Sequence, residues 1–185
     1  MKHETLKELY DCNRNTPSDI NEHCSTLFNL AKQHNHITEL GTRWGISTSA
    51  FLYAQPETLV CYDRAKKRSA VDRLDELSGD TDFSFHTADV LAIELHETDL
   101  LFIDTWHAYI QLKQELDLHS DKAKHHIVLH DTVKFARRGD TCKGTRDPQG
   151  GLMDALEEFL EVHPEWEIEH HYTNNNGLTV LRRVS

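Results

Sequence analysis

The sequence predicts an α/β domain built on a mostly parallel sheet. Three observations point there. From Thr38 onward, short β-rich apolar runs alternate with segments of helical period. Successive runs stop at a polar or acidic residue, as strands do when their carboxyl ends border a ligand crevice. The last two runs flank Asn174-Asn175-Asn176-Gly177, a hairpin turn signal that makes those two strands antiparallel to each other.

Each element follows from its own residues. Thr16-Pro17-Ser18-Asp19 reads as a cap followed by proline at a first helical position, opening a leader helix through about Gln33 with an apolar stripe at Ile20, Leu27, Leu30 and Ala31. The first strand, Ile37 to Leu40, hands over at Gly41-Thr42-Arg43-Trp44-Gly45 to a helix from about Ser47 to Tyr53. Thr58 to Tyr62 is a strand ending at Asp63, and a charged helix follows through Leu77. Phe83 to Thr87 alternates and ends near Asp89, whereas Asp99 to Ile103 is a continuous apolar run of the buried parallel kind that stops at Asp104. A helix from about Ala108 to Leu118 leads to a strand from His126 to Leu129, which stops at His130-Asp131. A loop, Lys134 to Gly151, precedes a helix from Leu152 to Val162, and the strands Trp166 to Tyr172 and Leu178 to Leu181 close the chain.

Composition narrows the function. The chain has 185 residues, 38% apolar and 28% charged, which suits one domain with a real core. The formal charge of −11 opposes a phosphate backbone, so small molecules are better partners than nucleic acid. No run approaches the ~20 apolar residues of a bilayer span, and the polar MKHETLKELYDCNRN holds no signal-peptide core, so a cytoplasmic location is expected. Cys12, Cys24, Cys61 and Cys142 are scattered and read as reduced thiols.

Two constellations carry chemistry. In the first, Glu39, Gly41 and Gly45 sit where a strand meets a helix, and glycines let a ligand approach the backbone closely. Asp63 lies 22 residues after Gly41, the spacing at which an acid meets ribose hydroxyls. The bend lacks both G-x-G-x-x-G and a P-loop, so a nucleoside without phosphates fits best; the same glycines also suit plain strand-to-helix packing. The second constellation is Asp104, His107, His130 and Asp131, which neighbouring strands deliver to one rim. Such a cluster suits Mg²⁺ or Mn²⁺ through Asp104, His130 and Asp131, with His107 beside it as a general base, because imidazole titrates near neutral pH. The two acids also suit helix caps.

Glu39-Leu40-Gly41-Thr42-Arg43-Trp44-Gly45 resembles the first motif of the class I S-adenosylmethionine-dependent methyltransferases, and the resemblance extends from about Thr38 to Arg183. It implies a Rossmann-like methyltransferase fold with a seven-stranded sheet of order 3-2-1-4-5-7-6, a C-terminal antiparallel hairpin and an N-terminal helical leader. It implies S-adenosylmethionine as cofactor, with Glu39, Gly41 and Gly45 lining the methionine portion, Asp63 on the ribose, Asp89 beside the adenine, and Thr42, Ser47 and Asp104 also cofactor-binding. Asp104-Thr105-Trp106-His107 is similar to the metal-dependent catechol-type O-methyltransferases, which place lysine where His107 stands. Phe102-Ile103-Asp104, Val128-Leu129-His130-Asp131-Thr132, Ser18 to His23 and Asn176-Gly177-Leu178-Thr179 resemble small bacterial and phage methyltransferases of the cephalosporin-hydroxylase-like branch. There His130-Asp131 replaces Asp-Asn or Glu-Asp, which moves metal preference from Mg²⁺ toward Mn²⁺, Fe²⁺ or Zn²⁺, or leaves His130 unligated.

The expectation is therefore one methyltransferase domain: leader 1–35, cofactor-binding core 36–131, lid loop 132–151, and helix plus hairpin 152–185. Its reaction would be O-methylation of a small molecule or glycan, with His107 and Asp104 catalytic and Mg²⁺ or Mn²⁺ as an optional second cofactor. A homo-oligomer stays open, and neither nucleic acid nor membrane is expected as partner. Lys134, Arg137, Arg138, Lys143 and Arg146 against Asp140 make the loop a candidate acceptor-recruiting lid, and Trp106, Tyr109 and Trp166 are candidate walls of an acceptor pocket. The alternatives are a non-catalytic nucleoside- or S-adenosylmethionine-binding protein and another S-adenosylmethionine reaction on the same fold. A nicotinamide-dependent oxidoreductase is weaker, since the second of its three glycines is missing.

Overall fold

The computed structural model describes residues 4–140 and 150–184. Its first element is not the expected helix. Helix α1 (Leu6–Asn15) starts at Thr5, whose side chain takes the Glu8 amide while Glu8 returns a bond to the Thr5 amide. Thr16 closes α1, its N–H donating to the Cys12 carbonyl at 2.9 Å, and Pro17 bars continuation. Ser18 Oγ then accepts the Ile20 and Asn21 amides, turning the chain into a 3-10 turn (Asn21–His23) before helix α2 (Cys24–Ala31). The helix expected through Gln33 is thus a turn and a shorter helix, because Thr16-Pro17 ends one helix rather than opening the next.

From β1 (His36–Leu40) onward strands and helices alternate as expected: α3 (Ile46–Tyr53), β2 (Thr58–Asp63), α4 (Arg68–Leu77), β3 (Asp82–Thr87), β4 (Thr98–Ile103), α5 (Tyr109–His119), β5 (Ala123–His130), α6 (Leu152–Val162), β6 (Trp166–Tyr172) and β7 (Leu178–Arg183). The sheet order is β3-β2-β1-β4-β5-β7-β6. Its first five strands pair in parallel, and β7 runs antiparallel to both β5 and β6.

The central strands are covered on both faces. Along β4, Leu100 and Phe102 enter one apolar cluster with Leu27 of α2 and Phe51 of α3, whereas Leu101 and Ile103 enter a second with Leu112 and Leu116 of α5 and Leu156 and Phe159 of α6. This explains why β4 reads as unbroken apolar sequence.

The leader and the final hairpin meet over the end of β5. Asn175 Nδ2 donates to the Ser18 carbonyl at 2.7 Å, Glu22 donates its amide to Asn175 Oδ1 at 3.0 Å, and Asn174 Nδ2 donates to Glu22 at 2.7 Å. Asn175 and Asn176 adopt the positive φ that a tight turn demands and that asparagine tolerates.

Candidate functional site

The bend after β1 is shaped by backbone demands. Gly41 has φ +96°, and a Cβ there would lie 1.9 Å from the Asp104 carbonyl oxygen. Glycine is what lets the end of β1 touch the end of β4, where the Asp104 amide donates to the Leu40 carbonyl at 2.8 Å. Gly45 starts α3 with φ +75°, its Cα packed on Leu74. Asp63 braces the bend, accepting the Arg43 amide at 2.7 Å and the Ala65 amide at 3.0 Å.

Glu39 lies beneath. It is fully buried and accepts Ser47 Oγ and Thr48 Oγ1, both at 2.5 Å, and Cys61 Sγ at 3.1 Å. Burial pushes its carboxyl up to about 7 against the pull of these donors. Glu39 therefore ties β1 to α3 and β2 and holds Ser47 in place, instead of lining a ligand site as expected.

Above the bend is a cavity of about 230 Å³. Gly41, Thr42, Ser47 and Asp104 line it, as expected from sequence. So do Ser18 and Asp19 of the leader and Arg43 of the bend, which the sequence reading did not select. The only signal was the leader motif Ser18-Asp19-Ile20, and its reading as a helix start hid the side chains. Asp89 is exposed and away from this lining; it caps the 3-10 turn Val90–Ala92 through the Leu91 amide and pairs with Arg64 at 2.5 Å.

Asp104 also belongs to the second constellation, which the fold assembles. His107 Nε2 lies 2.9 Å from Asp131 Oδ2 and 3.4 Å from Asp104 Oδ1. His130 Nδ1 is 3.3 Å from a carboxylate oxygen of each aspartate. His130 Nε2 faces the carbonyls of Asp19 at 3.1 Å and Asn175 at 3.3 Å, so it must carry a hydrogen. The His107 ring stacks on Phe135 at 4.6 Å between centroids, and the Asp140 amide donates to the His107 carbonyl at 2.6 Å. Asp131 holds φ +61° at the strand end.

Charge decides the protonation. Burial alone would strip the protons from both imidazoles, but the two aspartates reverse this and push His107 up to about 9 and His130 up to about 10. The imidazoles in turn hold Asp104 and Asp131 below the usual carboxylate range despite burial. At neutral pH His107 is thus protonated, so it is not the ready base that an ordinary imidazole would be. Asp104, His107 and Asp131 also place one ligand atom each within 4.8 Å of one another, a spacing that admits a metal ion.

Trp106 is 38% exposed and lines a small pocket with Asp104, His107 and His130. Tyr109 is buried, with its hydroxyl donating to Glu158 at 2.6 Å, and Trp166 is buried against Arg183. Arg137 is bound to Asp154 and Glu157 of α6 at 2.6 Å each, which fastens the loop to the helix. Lys134 sits over Phe135 and Arg138 is exposed, while Lys143, Arg146 and Cys142 fall outside the described residues.

No family model and no curated relative matches this sequence. Solved structures do. A Staphylococcus aureus protein described as a caffeoyl-CoA O-methyltransferase is similar with TM-score 0.69 at 15% identity, over 97% of this chain and 90% of that one. The fold is that of the class I methyltransferases. A Bacillus cereus O-methyltransferase in complex with S-adenosylhomocysteine is similar with TM-score 0.68 at 16% identity, covering 100% of this chain and 92% of its own. The N-methyltransferase NodS of Bradyrhizobium japonicum is similar with TM-score 0.63 at 14% identity, over 90% and 97% of the two chains. The same fold is thus shared by neighbours described as O-methyltransferases and as an N-methyltransferase.

Proposed function

We propose that this protein is an S-adenosylmethionine-dependent methyltransferase acting on an oxygen of a small molecule or glycan. One observation carries the reading: Asp104 is shared between the cavity above the β1 bend and the acid-imidazole cluster at the ends of β4 and β5. S-adenosylmethionine supplies a methyl carbon on a positively charged sulfur. Asp104 places an anionic carboxylate where that charge can be held, and Asp63 stands at the end of β2, where ribose hydroxyls would be met. On the other side of Asp104, His107 and Asp131 offer a donor and an acceptor that can fix an incoming hydroxyl.

The proton of that hydroxyl needs a destination. His107 takes it only after giving up its own, so base catalysis by His107 belongs to the alkaline side of neutrality. The cluster also fits a divalent ion: Asp104, His107 and Asp131 give one nitrogen and two oxygens, and His130 Nδ1 is aimed at the same carboxylates because its Nε2 is spoken for. This set differs from the sequence expectation in making His107 a ligand. Mixed N/O donors favour Mn²⁺, Fe²⁺ or Zn²⁺ over Mg²⁺. Such an ion, when bound, acidifies a hydroxyl and orients it.

The reading treats the chain as one catalytic domain in the cytoplasm, where thiols such as Cys24 and Cys61 stay reduced. Its test is calorimetric titration with S-adenosylhomocysteine followed by labelled methyl transfer to catechols, polyols and sugars. One-to-one binding and label on an acceptor oxygen are expected; no binding rejects the reading, and binding without transfer to any acceptor favours a binding protein. Turnover that survives a chelator undiminished removes the metal from the scheme, while loss restored by Mn²⁺ supports it.

A further inference from the structure

The cavity above the bend carries more charge than a nucleoside needs. Asp19 and Asp104 are acidic, and Arg43 is the cation among the lining residues. Arg43 Nη1 lies 2.5 Å from Asp19 Oδ2, with the arginine side chain 61% and the aspartate 33% exposed. An isolated pair this open to water stabilises little. Yet both partners are held in unusual ways. Arg43 has φ +47°, a left-handed conformation that a residue with a Cβ seldom adopts, and its amide is fixed by Asp63. Asp19 sits on a leader pinned by its own carbonyl to His130 Nε2 and by the Ser18 carbonyl to Asn175.

Thr42 is 2% exposed and lines the same cavity, with its hydroxyl acting on the buried Cys61 thiol beneath the bend.

Resting on the methyltransferase reading, we propose that Arg43 and Asp19 form the clamp for the amino-acid end of the methyl donor, Arg43 taking the α-carboxylate and Asp19 the α-ammonium. The charges match in kind. The donor carries ammonium, carboxylate and sulfonium, and the cavity offers aspartate, arginine and a second aspartate, Asp104. The internal Arg43–Asp19 pair is then a stand-in for the zwitterion: one ion pair opens and two form, so neither side chain is left without a partner. Guanidinium is suited to the task because its fork meets a carboxylate through two parallel N–H groups. Asp19 thereby gains a binding role that neither the β1 bend nor the strand ends would suggest.

The test is a cycle in which the ligand is altered as well as the protein. S-adenosylhomocysteine and its decarboxylated analogue, which keeps the amine and lacks the carboxylate, are titrated calorimetrically into wild type and R43M. Wild type should bind S-adenosylhomocysteine at least about tenfold tighter than the analogue, and R43M should bind the two within about twofold of each other. D19N, a substitution of equal size, should weaken S-adenosylhomocysteine about tenfold and should not narrow the preference for the carboxylate. Equal affinity of wild type for both ligands, or a wild-type preference retained in R43M, overturns the clamp while leaving the methyltransferase reading intact. Failure of wild type to bind either ligand rejects both. Because the wild-type comparison involves no substitution, a folding defect in R43M cannot rescue the idea.

Discussion

At Asp131 the backbone bends into φ +61° and delivers a buried carboxylate to two imidazoles at once. Strain of this kind persists only where the surroundings impose it, and here it aims Asp131 Oδ2 at His107. A raised group is protonated below its folded value, so the His107 proton leaves only as pH climbs toward about 9. With no divalent ion added, kcat/KM should therefore rise with pH from neutrality to about 9. The H107N variant should lose roughly 10²–10⁴ in rate and show a flat profile, read from a pH series with saturating donor. Retention of the slope in H107N would assign the titration to another group. The four members of this cluster were legible from where their strands stop, because parallel strands share a carboxyl-end rim. Their protonation was not, since it depends on distances near 3 Å between residues 24 and 26 positions apart. Arg43 and Asp19 were less legible still: the Ser18-Asp19-Ile20 motif marks the leader without saying that its side chain reaches across to the bend.

At the scale of elements, the bend is the most exacting piece. A methyl group at residue 41 would collide with the Asp104 carbonyl, and φ +96° is itself strained for any other residue. The G41A variant should lose roughly 1–3 kcal/mol of stability and most of its affinity for S-adenosylhomocysteine, measured by urea unfolding and calorimetry. Unchanged binding would mean that the contact between the β1 and β4 ends does not shape the cavity. The leader shows why element boundaries mislead. Thr16-Pro17 satisfies the sequence rule for a helix start and equally the rule for a stop, and only the reciprocal Thr5–Glu8 cap decides it. That T-x-x-E signature was present in the sequence and outweighs the proline once both are considered.

For the whole molecule, the parallel sheet and the terminal hairpin were readable from alternating strand and helix segments, acids at strand ends and one Asn-Gly turn, whereas the strand order came only from the resemblance to the methyltransferases. Histidine behaviour was not readable, although the chain contains 14 of them. His34, 7% exposed, shares a 2.9 Å hydrogen bond with His126, and burial with this neighbour pushes it down to about 4. Its ordinary value is 6.5, so between 6.5 and 4 the unfolded chain binds the extra proton and folding loses stability as pH falls. The loss from this one site should be of order 2–3 kcal/mol by pH 4. The stability advantage of wild type over H34N should accordingly shrink across that window in urea titrations, and a constant gap would exclude His34 as its source.

The clasp between leader and hairpin has a consequence for biosynthesis. The bond from Asn175 to Ser18 spans 157 positions and that from His130 to Asp19 spans 111, so the leader emerges from the ribosome long before these two partners. The sheet from β1 to β5 can form while translation continues, yet the rim above it gains its roof only when the final strands arrive. A nascent chain halted before β7 would carry the glycine bend and all four cluster residues and still leave His130 open to water.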